Sequence, residues 1–457
     1  LKAVRHKNYA IFMEPRLGKT KVAIDVANIW ALKAEDNHLR VLVLAPKIAL
    51  SVWEEELERH CTLDYAAENY EEYWGDGETL VFFLAGREAT MRATRNAKGR
   101  LERPKQRALE EFDPDLIIID ESHEYKRPGG RGAQDAWKMV RRLRKRRGDG
   151  RPYVLLLSGT PNPKGWRDLF AQFRIMDDSI LGTNVMAFDE DHVTFGHGPR
   201  RFSVVSYRNT RPLLRKIRAH SVAVSAEEAG LAGKQFWNAV RVDLPDAVSK
   251  TYQKFSEDMI VQLEGGGEIS AKNSGVRRLR LLQIAGGFLT DGTQLHDAKT
   301  KAAKEWLHVL LDQGESAIVY ARFLPEVRAL GEIAELVGYR VGVIQGSTPA
   351  VDRVRYIKSL QRGTKPTVLV FQIQTGKQSI ELSSAAEVVY YSTPDGWVDY
   401  WQSLNRVRGP NQKRPVRYTH ILARATVDVS AMAGLRNKED AHQTMMRNPR
   451  RYLQGMI

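Results

Sequence analysis

Gly18-Lys19-Thr20 follows the apolar run Tyr9-Ala10-Ile11-Phe12-Met13, and Asp120-Glu121-Ser122-His123 follows Leu116-Ile117-Ile118-Ile119. Each run reads as a buried parallel strand that delivers polar residues at its carboxyl end, where open α/β sheets bind ligands. Backbone N–H groups around Gly18, at the start of a helix, would attract phosphate through the helix dipole. Lys19 would reach the β- and γ-phosphates as a point charge, and the Thr20 hydroxyl would ligate Mg²⁺. Asp120 would hold the same ion through water, and Glu121 would orient or deprotonate an attacking water. These are the parts a Mg-nucleotide hydrolase needs.

Neither segment decides the matter alone. Met13 stands where the longer phosphate-loop pattern has its first glycine, and Asp-Glu pairs are common on solvated surfaces. Glu121 could be such a surface carboxylate and Lys19 a solvated helix start. A third segment, Leu155-Leu156-Leu157 followed by Ser158-Gly159-Thr160-Pro161, is another strand ending in hydroxyl residues. It is either a simple turn or, through Ser158 and Thr160, an element that couples the nucleotide to something else.

The elements that must position these tips alternate along the chain, which is the pattern of a doubly wound parallel sheet. Strands are expected at Ala10–Met13, Val41–Ala45, Leu80–Leu84, Leu116–Asp120 and Tyr153–Ser158, with helices such as Lys19–Ala31 and Ile48–His60 between them. A second alternating series covers Ala317–Tyr320, Arg340–Ile344, Val368–Gln372, Val388–Tyr391 and Arg417–Leu422. Between the two, Ala247–Leu263 and Ser274–Ile284 look helical, separated by Gly265-Gly266-Gly267, while Asp189–Tyr207 reads as irregular. The expected organisation is a first α/β lobe over 1–228, a small helical connector or protrusion over 229–295 and a second lobe over 296–457.

Composition narrows the class. A chain of 457 residues, 42% hydrophobic, is long enough for two or three domains with real cores, and no run of 18 apolar residues offers a membrane span. The chain opens on Leu1 rather than Met and shows no secretory pattern, so a segment upstream could be missing. One cysteine, Cys61, excludes an internal disulfide framework and suits a reducing cytosol; no histidine stands at metal-ligand spacing from it. A formal charge of +15 and a pI near 9.7 point towards a polyanion, nucleic acid above all, against the blander reading of a basic soluble enzyme.

Taken in order, Met13-Glu14-Pro15-Arg16-Leu17-Gly18-Lys19-Thr20, Leu44-Ala45-Pro46-Lys47 with Trp53, Asp120-Glu121-Ser122-His123-Glu124-Tyr125-Lys126 and Ser158-Gly159-Thr160-Pro161 resemble motifs I, Ia, II and III of superfamily-two helicases. Within them the resemblance is to Snf-type DNA translocases, especially compact forms found in bacterial viruses. The second half continues the series. Ser316-Ala317-Ile318-Val319-Tyr320-Ala321-Arg322-Phe323 resembles motif IV, and Gln345-Gly346-Ser347-Thr348 with Arg353 the signature after it. Phe371-Gln372-Ile373-Gln374-Thr375-Gly376 through Glu381-Leu382 resembles motif V, and Gln402-Ser403-Leu404-Asn405-Arg406-Val407-Arg408, with Gln412 beyond, resembles motif VI.

The resemblance implies two RecA-like, doubly wound parallel-sheet lobes facing each other across ATP and Mg²⁺. Arg16, Gly18, Lys19, Thr20 and Asp120 would bind the nucleotide and its metal ion, and Glu121 with Gln402, Arg406 and Arg408 would act in hydrolysis. An arginine supplied from the second lobe contributes ~10³–10⁵ in rate in such enzymes and makes hydrolysis depend on lobe closure. The family usually spaces its motif VI arginines three apart, whereas Arg406 and Arg408 are two apart; Arg408 is favoured as the finger, with Arg406 supporting. Other departures are Arg16, where glycine is common and a positive φ would be uncomfortable, and Ser379 and Glu381 in motif V. The glutamine that reads adenine in the family would fall before Leu1.

By the same resemblance Pro46, Lys47, Arg322, Gly346, Ser347, Gln374 and Thr375 would touch a nucleic-acid backbone without reading bases. Seven of the ten residues from Lys138 to Arg147 are basic and could extend this track through Arg141 and Arg142; a looser set runs through Arg92, Arg95, Lys98, Arg100, Arg103, Lys105 and Arg107. The competing reading is a solvated helix face with Trp137, Val140 and Leu143 as its buried stripe. Trp166, Trp237, Trp397 and Trp401 could stack on bases, although core packing is the stronger expectation for each. The expected function is that of a monomeric, cytoplasmic, ATP-dependent DNA translocase or helicase. An RNA helicase and a nucleic-acid-binding scaffold without hydrolysis are its rivals.

Overall fold

The computed structural model describes residues 2–34, 37–69, 79–91, 94–95, 101–102, 104–163, 165–196, 203–230, 233–264, 271–375, 381–394, 396–409 and 411–435. The chain folds as two compact units, one through Gly230 and the other over 231–440.

The first unit is built on a seven-stranded sheet whose pairings are all parallel. Its order is Ser221–Val224, Tyr9–Met13, Tyr153–Ser158, Leu116–Ile119, Leu39–Ala45, Leu80–Gly86 and Tyr65–Asn69. Alternate side chains along a strand leave on opposite faces, so one strand feeds two cores. Ala10 and Phe12 join the core that holds Met139, Val140 and Leu143 of the helix Arg131–Arg147. Tyr9 and Ile11 join the one that holds Ala23, Ile24 and Ala27 of the helix Lys19–Ala31, together with Trp53. Each fully buried side chain of this size contributes roughly 1.5–3 kcal/mol, which explains why strands with little polar character are stable only when covered on both faces.

The second unit has a six-stranded sheet, also parallel throughout, in the order Gln235–Val242, Val416–Ala423, Glu387–Tyr390, Ala317–Ala321, Thr367–Gln372 and Arg340–Ile344. Two parallel α/β lobes were the expectation, and this is the architecture found. The expected helices appear as Asp246–Glu264 and Ala271–Gly286. They are fastened to the second sheet, because Val427 N donates to Tyr252 Oη at 2.7 Å and Tyr391 Oη donates to Gly286 O at 2.7 Å. Gly265, Gly266 and Gly267 lie outside the described residues.

Three segments differ from the sequence reading. Gln235–Val242, placed there in the helical connector, is an edge strand; its mixed polarity hides it because most of its side chains face solvent. Tyr65–Asn69 and Ser221–Val224 are edge strands that short, polar-flanked runs did not announce. Asp189–Tyr207, expected to be irregular, contains the end of the helix Val185–His192 and an antiparallel pair, Val193–Phe195 with Val204–Tyr207. Among the described residues no helix is long and apolar enough to cross a membrane, and no group of three or more His, Cys, Asp or Glu residues could hold a metal ion.

Candidate functional site

The carboxyl edge of the first sheet gathers Met13, Ala45, Gly86, Ile119 and Ser158, the last residues of five strands. After Met13 the chain turns through Arg16 and Gly18, both left-handed at φ 67° and 81°, and enters the helix Lys19–Ala31. Glycine takes that conformation freely, whereas for a residue with a side chain it costs about 1–2 kcal/mol. Arg16 therefore adopts the backbone that its side chain disfavours. Lys19 Nζ donates to Met13 O at 3.0 Å and Glu14 O at 3.3 Å, so the amine curls over the turn. Glu14 Oε2 accepts from Ala226 N at 3.1 Å and ties the turn to the segment after the edge strand. A Cβ on Gly159 would stand 3.1 Å from Pro15 Cδ, so the Ser158–Pro161 segment lies close against the phosphate-loop turn and a larger residue there would have to push Pro15 aside by a few tenths of an ångström.

Asp120 and Glu121 follow the strand Leu116–Ile119. Asp120 Oδ2 accepts from Trp53 Nε1 at 3.1 Å and Oδ1 accepts from Glu121 N at 2.9 Å, so both carboxylate oxygens are held. Glu121 is left-handed at φ 50°, a strained position for glutamate that turns its side chain away from the strand line. Its Oε2 lies 3.1 Å from His123 Nδ1, which is also 3.1 Å from Ser158 Oγ. With the proton on Nδ1 the ring can donate towards both. Ser158 Oγ accepts from Thr160 N at 3.1 Å, while Ser122 Oγ donates to Gln172 Oε1 at 2.8 Å and Gln172 Nε2 donates to Pro161 O at 2.6 Å. The carboxylate pair and the Ser158–Pro161 tip are thus joined by a chain of hydrogen bonds through His123 and Gln172.

The electrostatics agree with a cation site. Burial and the neighbouring charge of Glu121 push the Asp120 carboxyl up to about 6, against the opposing pull of Trp53 and Lys19. Burial also works against the charge of Glu121, yet the hydrogen bond from His123 and the charges of His123 and Lys19 outweigh it and hold this carboxyl below its ordinary range. The Glu121 side chain keeps 32% of its surface exposed, so water can reach it. Burial lowers the Lys19 ammonium pKa, opposed by Glu121, Asp120 and Glu14. A buried carboxyl that burial and a neighbouring carboxylate push upward, as at Asp120, is a donor whose charge a divalent cation relieves. Asp120, with the Thr20 hydroxyl in the first turn of the neighbouring helix, fits Mg²⁺.

Pro46 and Lys47 lie on the same edge, directly after the strand Leu39–Ala45; Lys47 is exposed and packs its stem against Gly86. The basic helix Arg131–Arg147 behaves differently. Arg144 donates to Asn8 Oδ1 at 2.9 Å, Met176 O at 2.8 Å and Pro152 O at 3.1 Å, and Arg147 pairs with Asp115 at 2.7 Å. Arg146 pairs with Asp113 and Arg142 with Glu110, while Arg141 lies over the Trp137 ring at 5.7 Å. Asn8, Asp115 and Pro152 directly precede the strands Tyr9–Met13 and Leu116–Ile119 or stand one residue before Tyr153–Ser158. This end of the helix therefore sits at the amino edge of the sheet, opposite Lys19 and Asp120, and is an internal fastener. Val140 and Leu143 form the buried stripe of this helix, while Arg141 and Arg142 remain exposed, so their place on a nucleic-acid track stays an expectation. Lys105 and Arg107 start the helix Pro104–Glu111, with Arg107 paired to Glu111; the side chains of Arg92, Arg95, Lys98, Arg100 and Arg103 lie outside the described residues.

In the second unit, Arg322, Gly346, Ser347, Gln374 and Thr375 all follow strand ends on the carboxyl edge. Gly346, Ser347 and Gln374 are exposed, whereas Arg322 is buried with its guanidinium over Phe323. Thr375 Oγ1 donates to Gln372 O at 2.6 Å. Arg353 donates to Thr348 O at 2.8 Å and to Gln345 O and Gly346 O at 3.1 Å, so it staples this loop. Gln402 and Arg406 are one turn apart at the end of the helix Trp397–Asn405. Arg406 is 4% exposed, its Nη1 and Nη2 have no hydrogen-bond partner among the described residues and its guanidinium lies 5.8 Å from the Phe371 ring. Arg408, in contrast, donates to Tyr418 Oη at 3.0 Å and to Gln235 Oε1. Trp397 and Trp401 are buried and stacked at 5.3 Å, Trp166 packs on the first core and Trp237 stacks on Tyr418 at 4.7 Å. Sequence reasoning missed the roles of His123, Gln172 and Trp53. For Gln172 the signal was an amide in an otherwise apolar stretch, while His123 and Trp53 stood within or beside the motif segments without a distinct role.

A family profile described as SNF2-related domain matches residues 4–283, and one described as helicase conserved C-terminal domain matches 298–409. The chain belongs to the SNF2-related family. This makes it a Snf-type member of the superfamily-two helicases, as the motif order implied. Among curated relatives, the mouse (Mus musculus) DNA annealing helicase and endonuclease ZRANB3 is 22% identical over 352 residues, 74% of this chain and 31% of the relative. An uncharacterized ATP-dependent helicase of Mycoplasma pneumoniae is 21% identical over 318 residues, 68% of this chain and 28% of the relative. The chain thus spans about a third of the length of these relatives. Among solved structures, the Sulfolobus solfataricus SWI2/SNF2 ATPase core in complex with dsDNA is 18% identical, covers 97% of this chain and 91% of its own, and superposes with a TM-score of 0.39. The same core without DNA covers 96% and 86% at a TM-score of 0.40.

Proposed function

We propose that this SNF2-family chain is a DNA-stimulated ATPase that moves along or unwinds DNA. The observation that carries the reading is the meeting, on one sheet edge, of Lys19, Asp120, Glu121 and the His123–Ser158 link. Lys19 meets the charge of the β- and γ-phosphates, and the Gly18 turn directs backbone N–H groups at them. Thr20 and Asp120 would hold Mg²⁺, which neutralises charge on the phosphate oxygens when bound. Glu121 is the base: its carboxylate stays ionised beside His123 and remains open to water. His123 passes the state of Glu121 to Ser158 and Thr160.

From the second unit, Arg406 is assigned the charge on the transferring phosphoryl group. Among the described residues its guanidinium has no hydrogen-bond partner at Nη1 and Nη2, whereas Arg408 is held by Tyr418 and Gln235. DNA contact is assigned to Pro46, Lys47, Gly346, Ser347, Gln374 and Thr375, whose backbone and small side chains suit phosphate rather than base edges. Glu121→Gln should abolish turnover and leave ATP binding largely intact, since it keeps size and hydrogen bonding but loses the base. Unchanged turnover removes Glu121 from that role. Stimulation of the wild-type ATPase by RNA alone would replace DNA by RNA as the track, and ATP binding without turnover in the wild type would leave only a binding scaffold.

A further inference from the structure

A groove of about 550 Å³ opens at the outer edge of the second sheet, between the strand Arg340–Ile344 and the helix Ala350–Arg362. Among the described residues the strand is the last of its sheet and pairs only with Thr367–Gln372. Arg340 N donates to Pro366 O, so Arg340, Gly342 and Ile344 direct their backbone groups to that neighbour, and the alternate residues Val341 and Val343 direct theirs outward. Thr348 Oγ1 donates to Val343 O at 3.3 Å; the Val341 N–H and C=O and the Val343 N–H have no partner among the described residues. An edge with free donors and acceptors is a template for another strand.

The groove beside this edge is apolar at its centre and cationic at its rim. Val351 is 81% and Val354 49% exposed, far more than a helix normally leaves on two neighbouring valines. Arg340, Arg355, Lys358 and Arg362 line it. Arg355 is paired with Asp352 at 3.0 Å, and Lys358 and Arg362 have no anionic partner among the described residues. Nucleic acid would use the charges, but it offers no match for an alternating row of peptide donors and acceptors or for the valines. The groove also lies by the first residues of its strands, Arg340 and Thr367, away from Gly346 and Gln374 at the other ends.

The geometry points to a docking site for an extended, acidic segment of a partner protein, which adds as a strand to Arg340–Ile344 so that every second side chain enters the groove, an apolar one against Val351 and Val354 and carboxylates two positions away against Lys358 and Arg362. Main-chain pairing would supply affinity, and acidic and apolar side chains sharing this one face would supply selectivity. The site does not use the nucleotide machinery, so occupancy and ATP turnover are separable.

The probe is a fluorescein-labelled peptide whose every second residue alternates between glutamate and valine, with threonine between them, so that both types share one face; the same peptide with lysine for glutamate is the control and an oligothymidylate the competitor. Anisotropy should show saturable binding of the acidic peptide alone, weakened about tenfold at low salt by the pair Lys358→Glu and Arg362→Glu, two exposed positions. Val341→Pro should weaken it comparably, because it deletes an outward N–H and no sheet bond. In the wild type, hydrogen exchange at the Val341 and Val343 amides should slow when the peptide is added, which tests strand addition without any variant. Absence of binding, or unchanged exchange at both amides, overturns the proposal. Equal competition by the oligothymidylate would make the groove a general polyanion surface and overturn it as well.

Discussion

The indole Nε1 of Trp53 donates to Oδ2 of Asp120 at 3.1 Å, across 67 positions of sequence. Trp53 is buried in the helix Leu50–His60, which directly follows Pro46 and Lys47, so this bond ties the segment assigned to DNA to the carboxylate assigned to Mg²⁺. With Oδ1 held by Glu121 N, the orientation of the carboxylate is set from both sides. Trp53→Phe keeps most of the buried ring and deletes the donor. A hydrogen bond to a charged group is worth about 1.5–3 kcal/mol, so the Mg²⁺ concentration needed for nucleotide binding should rise by about tenfold or more. A magnesium titration of fluorescent-nucleotide binding measures this, with a melting curve as the control for folding; an unaltered midpoint would break the link.

Ser158→Ala removes the hydroxyl that sits between His123 Nδ1 and Thr160 N. Glu121 keeps its contact with His123, so basal ATP hydrolysis should survive, while the stimulation of that hydrolysis by DNA should fall several-fold. Equal losses in basal and stimulated rates would mean that Ser158 supports the site without coupling it.

The two arginines after the helix Trp397–Asn405 should separate cleanly. Arg406→Ala is expected to lower kcat by ~10³ or more with little change in melting temperature, as for a residue that acts on phosphoryl charge. Arg408→Ala should instead destabilise the fold by about 1–3 kcal/mol, since it leaves Tyr418 and Gln235 without their partner. Reversed outcomes would return the role to Arg408.

On the basic helix, Arg144→Met should lower stability by about 2–3 kcal/mol, because the Met176 and Pro152 carbonyls lose the Arg144 donor and the Asn8 amide oxygen keeps only Val154 N of its two donors among the described residues. The dependence of DNA affinity on salt should not change. A flatter slope for this variant would restore the helix to the DNA track.

Burial raises the Glu387 carboxyl to about 7, partly offset by Arg417 at 2.8 Å. Its folded pKa thus lies above the ordinary 4.5, so the folded state binds the extra proton and the associated stability is complete below about 4.5 and lost as pH rises through about 7. Glu387→Gln mimics the protonated form. The melting temperatures of wild type and variant should diverge over that window, by the equivalent of about 2–3 kcal/mol at most, with the variant gaining as pH rises. Parallel curves from pH 5 to 8 would exclude this linkage.

Much of this molecule was legible as sequence for a physical reason. A strand buried on both faces is a local apolar run, and the residues at its tip follow within a few positions, so Lys19, Asp120-Glu121, Ser158 and the matching tips of the second half could be read in order. The helices Lys19–Ala31 and Asp246–Glu264 were equally legible from local pattern. Edge strands were not: Gln235–Val242 is mostly exposed and carries no apolar run, because half its surroundings are water.

What tertiary structure alone decided is which charged groups are already engaged. Of the seven basic residues on one helix, Arg142, Arg146 and Arg147 are met by Glu110, Asp113 and Asp115, some thirty positions upstream, which the local spacing does not show. The same holds for Arg406 and Arg408, two residues apart in the chain yet in opposite circumstances: Gln235, 173 positions away, takes one, and among the described residues no hydrogen-bond partner takes Nη1 or Nη2 of the other. Ion pairs and hydrogen bonds act over a few ångströms, while the partners are drawn from anywhere in the chain, so no local spacing could have assigned them.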